Sequence, residues 1–396
     1  MSKTFVGVVI VIVALVAVLV TYQFLLVPTT PTTLATTPTT PTTLTAPKPT
    51  TMTILPQGRV SWSIGTGDVG GVAYYAHATT ADVLTKLYPQ FFEISLISVG
   101  GAAAGMSSWD AGRVDIGYTA LNILIQYVTR TGRWAPDKAT PQRADEMSVI
   151  VYQYPLLYGI YITDDVYATG KVKCWKDLKG LDIGIFPGHP TWASHEVFRD
   201  VFSLILGVNR DELDNVMKLV PGLGDREIPD AVALGTVKVV WGYGDPSGPT
   251  TWLTNTLSRM EYKMHAVPAC PDELELMKKN LPYVIEFTLN LSRYNIKTID
   301  GKTVMETIGV PFGLIGSSKL SKEHIYLLFK TMVEQCDIFE KTMALFTGFC
   351  QWGLQFNVET FKKQSMWNIP IHPGVAMYLQ ELGYDLAKLG ILVAKP

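Results

Sequence analysis

Charge is scarce in this chain. Only 17% of its 396 residues are charged, and the formal net charge is −2. No basic excess exists to neutralise phosphates, so nucleic-acid binding has no electrostatic support. Cysteine is scarcer still. Cys174, Cys270, Cys336 and Cys350 are the full set, and none sits in a CxxC pair. Zinc and thioredoxin-like chemistry therefore lack their usual spacing. Four cysteines allow three disulfide pairings, and the sequence does not choose among them. Catalytic signatures are missing as well: no GxSxG elbow, HExxH helix or Walker loop occurs. Neither a cofactor nor a metal is expected.

What is present begins with an apolar run from Thr4 to Val27, interrupted only by Gly7, Thr21, Tyr22 and Gln23. That length matches the roughly 20 helical residues needed to cross a hydrocarbon core. Lys3 precedes the run, which favours a cytoplasmic amino terminus and an exported remainder. A cleaved signal peptide is the competing reading, but the core is long and no small-x-small site precedes Pro28. Residues 1–27 thus read as a single-pass membrane anchor. Residues 28–57 form a Thr/Pro tract, PTTPTTLATTPTTPTT and onward. Such a segment cannot bury a core, and proline stiffens it towards an extended helix. At about 3.1 Å per residue it reads as a stalk reaching up to roughly 90 Å.

From Val60 onward short strand-like segments alternate with longer helix-like ones, which points to an α/β class with mostly parallel sheets. Val60, Trp62 and Ile64 alternate as a strand, and Val72 to Leu87 carries helical spacing. Further strands are expected at 93–99 and 114–118, with a helix near 122–130. The extended segment 147–162 contains Pro155, which suits a crossover or edge better than a fully paired central strand. A second βαβ series starts at Leu181, and 307–315 is extended again. The implied architecture is a two-lobed clamshell: lobe 1 from 58 to 155, lobe 2 from 156 to 306, and a return crossover with carboxyl-terminal helices from 307 to 396. Ligands of open α/β sheets bind beyond the carboxyl ends of strands, and domain interfaces are favoured pocket sites.

The turns after the strands are therefore the candidate site. Gly65, Gly67 and Gly70 match GxGxxG between a strand and a helix. A dinucleotide site would want an acid ending the second strand, whereas this one ends Ser98-Val99-Gly100. The alternative is a glycine turn presenting helix amino-terminal N–H groups to a polar ligand. On that reading Gly67, Asp68, Gly70 and Gly71 contact the ligand, with Tyr74 walling the cleft beside Tyr75 or else packing in the core. Gly101 and Ala102 supply a second turn, Tyr118 and Thr119 a third. Gly188, His189 and Thr191 form a fourth turn, and Tyr243 with Asp245 a fifth, within Gly242–Asp245. Asp68 and Asp245 either bind an ammonium group or cap helices. His195 reads as a helix residue and His372 as a turn residue.

At these turns the chain resembles the TAXI family of solute receptors that serve TRAP (tripartite ATP-independent periplasmic) transporters. The residues carrying the resemblance are GTGDVGGVAYY from Gly65, Ser98-Val99-Gly100-Gly101, Asp177-Leu178-Lys179-Gly180, and IPIHPGVAMYLQELG from Ile369 to Gly383. The resemblance implies a type II periplasmic-binding fold, with closure around a small carboxylate or amino acid of the glutamate, glutamine and 2-oxoglutarate class. It also implies delivery to TRAP-type permease subunits. Two positions depart from the family pattern: Ala102 replaces a usual serine, and Pro190 removes a donor from the fourth turn. With the acidic Asp68, these tilt the expected ligand towards one bearing an amino group. A sensory receptor on the same clamshell and an exported enzyme are the alternatives. The first would need a signalling partner, and the second lacks a nucleophile motif.

Overall fold

The computed structural model describes residues 54–246, 248–258, 264–347 and 349–395. The anchor expected at 1–27 and the stalk up to residue 53 lie outside the described residues. Among the described residues no helix is long and apolar enough to cross a membrane.

Strand and helix alternate from the start. β1 (Val60–Thr66) leads to α1 (Val72–Leu87), β2 (Phe92–Ser98) to α2 (Ala102–Asp110), and β3 (Ile116–Ala120) to α3 (Leu121–Thr129). β4 (Met147–Thr163) follows, then β5 (Ile185–Phe186), α4 (Ala193–Leu206) and α5 (Ile228–Ala233). Next come β6 (Val239–Asp245), β7 (Gly248–Pro249), α6 (Thr251–Ser258), β8 (Met264–Val267), β9 (Ile285–Asn290) and β10 (Val304–Ser317). Among the helices that close the chain are α7 (Lys322–Glu334), α8 (Phe349–Ser365) and α9 (Pro373–Glu381). Burial follows period: Trp62 and Ile64 point into the core from β1, and Ala73, Ala76, Thr80 and Leu84 from α1.

The strands join one sheet in the order β2-β1-β3-β10-β4-β6-β5, with β7 on β6, β8 on β4 and β9 on β10. Parallel pairing is confined to the flanks, β2-β1-β3 and β5-β6. The centre is antiparallel, because β4 and β10 run through it in opposite directions. The expected mostly parallel sheet is thus corrected to a mixed one. β4 pairs with β10 up to Leu157 and with β6 from Leu157 onward, while β10 pairs with β9 up to Gly309 and with β3 from Phe312. All 17 residues of β4 are buried, as expected of a strand covered on both faces.

Pro155 is neither at an edge nor outside the ladder. It stands opposite Pro311 of β10, so neither residue asks the other for an N–H. Next to it the register shifts; Tyr152 still pairs with Gly313, and on the side of β4 that β6 does not reach its backbone bonds a side chain. Its N–H donates to Asn357 Oδ1 at 2.7 Å, and its carbonyl accepts from Asn357 Nδ2 at 2.9 Å. Asn357 belongs to α8 and is fully buried, so it replaces a missing strand partner for both groups. The cysteines pair as Cys174–Cys270 and Cys336–Cys350. These close chain separations of 96 and 14 residues. Such loops restrict the unfolded chain by on the order of 3–5 kcal/mol each.

Asn357→Ala leaves a buried N–H and a buried C=O without partners, so it should destabilise the protein by about 2–4 kcal/mol. Urea unfolding under non-reducing conditions measures this. A loss below about 1 kcal/mol would show that Tyr152 does not depend on the amide.

Candidate functional site

Where the strand ends of the two flanks converge lies a partly open cavity of ≈ 50 Å³. That is room for roughly four water-sized particles, which suits a small and compact guest. Its floor is built at the sheet centre by Leu156 of β4, Phe312 of β10 and Tyr118 of β3. Phe312 stacks on Tyr154 at 6.0 Å, and the Tyr154 hydroxyl donates to that of Tyr118 at 3.3 Å. One wall is Gly67, Asp68 and Gly71–Ala73 with Gly100–Ala102. The facing wall is Trp192–Ser194, Asp225, Tyr243 and Thr250–Trp252.

Four helices begin at this cavity, α6 at Thr251 among them, and the other three have no side-chain cap. α1 starts after Gly71, α2 after Gly101 and α4 after Trp192. Their first N–H groups lack helical partners and carry the positive end of the helix dipole. Glycine is required at Gly101 by proximity, since a Cβ there would lie 2.3 Å from the Thr191 carbonyl oxygen. It is required at Gly188 by backbone, with φ at +100°. The same seam is tied by polar contacts. Arg133 donates to the Pro190 carbonyl at 2.7 Å and reaches Glu196 at 3.4 Å, and Gln126 donates to Glu196 at 3.2 Å. Burial pushes the Glu196 carboxyl up, but Arg210 and Arg133 outweigh it and hold its pKa below the usual range.

Fixed charge in the cavity is acidic. Asp68 and Asp225 line it, and among the described residues no lysine, arginine or histidine does. Burial, with the nearby Asp68 carboxylate second, raises the Asp225 pKa to about 6. Asp225 Oδ1, Ser194 Oγ and Trp252 Nε1 are buried there without a hydrogen-bond partner. Behind the floor, His77 approaches Thr66 Oγ1 at 2.9 Å, and burial lowers its pKa to about 3, so it stays neutral.

Of the residues expected from sequence, Gly67, Asp68, Gly71, Gly101, Ala102, Tyr118 and Tyr243 line the cavity. Gly70 lies at the outer mouth with Val69, Tyr75, Arg226 and Asp230. Tyr74 packs edge-on against Tyr75, and Thr119 is buried within β3. Gly188, His189 and Thr191 do not line the cavity; Thr191 abuts Gly100 and Gly101 at the seam, and His189 Nδ1 lies 2.8 Å from the Thr191 hydroxyl. The segment Gly242–Asp245 is a correction. It continues β6 and pairs with β4 and β7, so its amides belong to a ladder and not to a turn. Its glycines serve ring packing, since a Cβ at Gly242 would meet the Tyr161 ring at 2.7 Å. Asp245 is buried at the β6–β7 hairpin. His372 caps α9, with Nδ1 accepting from the Gly374 N–H at 3.0 Å. Sequence reading missed Trp192, Ser194, Asp225 and Trp252. Trp192 and Ser194 directly follow a marked turn, so extending that turn by three residues would have found them.

Because the Asp225 pKa is raised, its stabilising contribution is full below about pH 4 and is lost as pH rises through 6. Asp225→Asn should therefore raise the melting temperature of ligand-free protein at pH 7.5. The gap should close between pH 6 and 4. Asp68, Arg226, Asp230 and Tyr243 are the other ionisable groups nearby, and the substitution leaves them in place. A lower melting temperature at pH 7.5 would contradict this, and scanning calorimetry across pH decides it.

Among solved structures, the periplasmic aliphatic sulphonate binding protein SsuA from Escherichia coli is similar at 10% identity. The match covers 81% of this chain and 83% of that one, with a TM-score of 0.39. DctP7, a Bordetella pertussis extracytoplasmic solute receptor binding pyroglutamic acid, is similar at 14% identity, over 84% and 94%, with a TM-score of 0.38. A TctC solute binding protein from Polaromonas is similar at 12%, over 81% and 98%, with a TM-score of 0.42. At these scores the likenesses carry no argument about this chain. No curated protein matches the sequence. The model of one family does match, over residues 64–383, a span that holds both flanks of the sheet and every wall of the cavity; the chain belongs to the NMT1-like family.

Proposed function

We propose that this protein is an extracytoplasmic solute receptor of the TAXI type, which captures a small carboxylate or amino acid and hands it to a TRAP-type membrane transporter. The observation carrying this reading is the cavity, where three uncapped helix starts converge and buried polar atoms stand without partners. Unpaired buried polar groups are costly, and a bound solute would satisfy them. The pocket holds what recognition needs: a few directed polar groups among aromatic and apolar surface.

Catalysis has less support. Ser194 lacks a base, since the neighbouring His195 is engaged at both ring nitrogens, by the Gly188 carbonyl at 3.2 Å and Arg199 Nε at 3.1 Å. The lobes in this proposal are 58–155 with 307–396, and 156–306. The partner switches of β4 near Leu157 and of β10 near Gly309 support those limits. Hinge motion there would open the seam between Gly101 and Thr191. An anchor at 1–27 and a stalk at 28–57 would hold the receptor at the outer face of the membrane.

Full-length protein purified in detergent should release about one equivalent of a small organic molecule on denaturation, identified by mass spectrometry. Returning that compound to stripped protein should raise the melting temperature without consuming the compound. Conversion of the compound on incubation would favour an enzyme. Failure of every amino acid and dicarboxylate tried to shift the melting temperature would remove the receptor reading.

A further inference from the structure

Charge fixed on side chains in the cavity is negative, while charge carried by its backbone is positive. Asp68 and Asp225 approach from opposite walls, and among the described residues no cationic side chain lines the space between. A half-buried carboxylate with an unpartnered oxygen, next to a second carboxylate, is an unfavourable arrangement when nothing cationic enters. Two further polar atoms point to a missing guest. Ser194 is 2% exposed and Trp252 is 3% exposed, both line the cavity, and Ser194 Oγ and Trp252 Nε1 have no partner. Trp252 also belongs to a cluster of rings, 5.4 Å from Tyr243 and 6.4 Å from Trp192. Aromatic faces attract a cation, most strongly where water is excluded.

The helix starts on the wall that also carries Asp68 have the reverse character. The amides that open α2 after Gly101 face the cavity without a side-chain cap, as do those of α1 after Gly71. Such helix starts favour an anion. A dicarboxylate would satisfy them at one end and meet Asp68 and Asp225 with its other charge. Repulsion of that kind selects against a wrong guest.

We infer that the guest is a small zwitterion of the α-amino acid class, with its cationic nitrogen between Asp68 and Asp225 beside Trp252 and its carboxylate on the amino-terminal amides of α2. This rests on the receptor reading and narrows its ligand class. Dicarboxylates and oxo acids lacking nitrogen are excluded by the two aspartates.

The test is a thermal-shift screen of the full-length protein, stripped of bound solute, followed by calorimetric titration. The probes are the standard L-amino acids, 2-oxoglutarate, glutarate and calcium chloride. At least one amino acid should stabilise the protein, and its analogue lacking the α-amino group should bind at least tenfold more weakly. Asp225→Asn should weaken the amino acid at least tenfold. The wild-type comparison of the two analogues stands without any variant. Stabilisation by 2-oxoglutarate or glutarate with no response to amino acids would overturn the inference and leave the receptor intact. Calcium alone stabilising the wild type but not Asp225→Asn would assign the aspartates to a metal and overturn it too. Silence across every probe would overturn both the inference and the receptor reading.

Discussion

Two long strands running in opposite directions, β4 and β10, carry both flanks of the sheet, and their register fixes where those flanks meet. Pairing of Leu156 with Val310 and of Tyr154 with Phe312 brings Leu156 and Phe312 to the cavity floor. The strands that feed helices then end around that floor, and their turns form its walls. Keeping so long a buried strand as β4 requires every backbone group to be satisfied. Where β4 runs past the reach of β6, Asn357 supplies partners to the Tyr152 backbone. The position of the site is therefore a consequence of how the sheet centre is completed.

Electrostatics then gives the site its character. Helix starts supply donors, so the cavity can hold an anionic group although no lysine or arginine among the described residues lines it. The acidic residues work against the empty state, since the ionised form of Asp225 is disfavoured by its surroundings. A protein that leaves such a group in place trades stability for recognition, a trade common at functional sites. The ion pairs along the seam, Arg133 with Glu196 and Arg210 with Glu196 and Asp200, lie outside the cavity. Of these, Arg133 with Glu196 ties the two sides together, while the Arg210 pairs stay within residues 196–210.

Much of this was legible in the sequence. Glycine turns after β1 and β2 announced one wall, and the helical spacing of Val72–Leu87 matched the observed α1. The extended segments 147–162 and 307–315 marked the two central strands, although each proved slightly longer. Other features were hidden for physical reasons. Asp225 sits in an irregular loop before α5, and only the fold brings it opposite Asp68. Glycines at 242 and 244 imitated a turn, yet they are small because aromatic rings of Tyr161 and Tyr294 press on the strand. Pro155 suggested an interruption because its partner across the ladder, another proline, is 156 positions away in the chain. Disulfide pairing was open for the same reason: it depends on distance in space.

A high-resolution crystal structure of protein purified without added solute tests the central claim most directly. The account predicts a single ordered organic molecule in the cavity, touching Asp225 and Ser194 on one side and the amides after Gly101 on the other. Ordered water alone in that space, with a small molecule bound elsewhere on the protein, would contradict it.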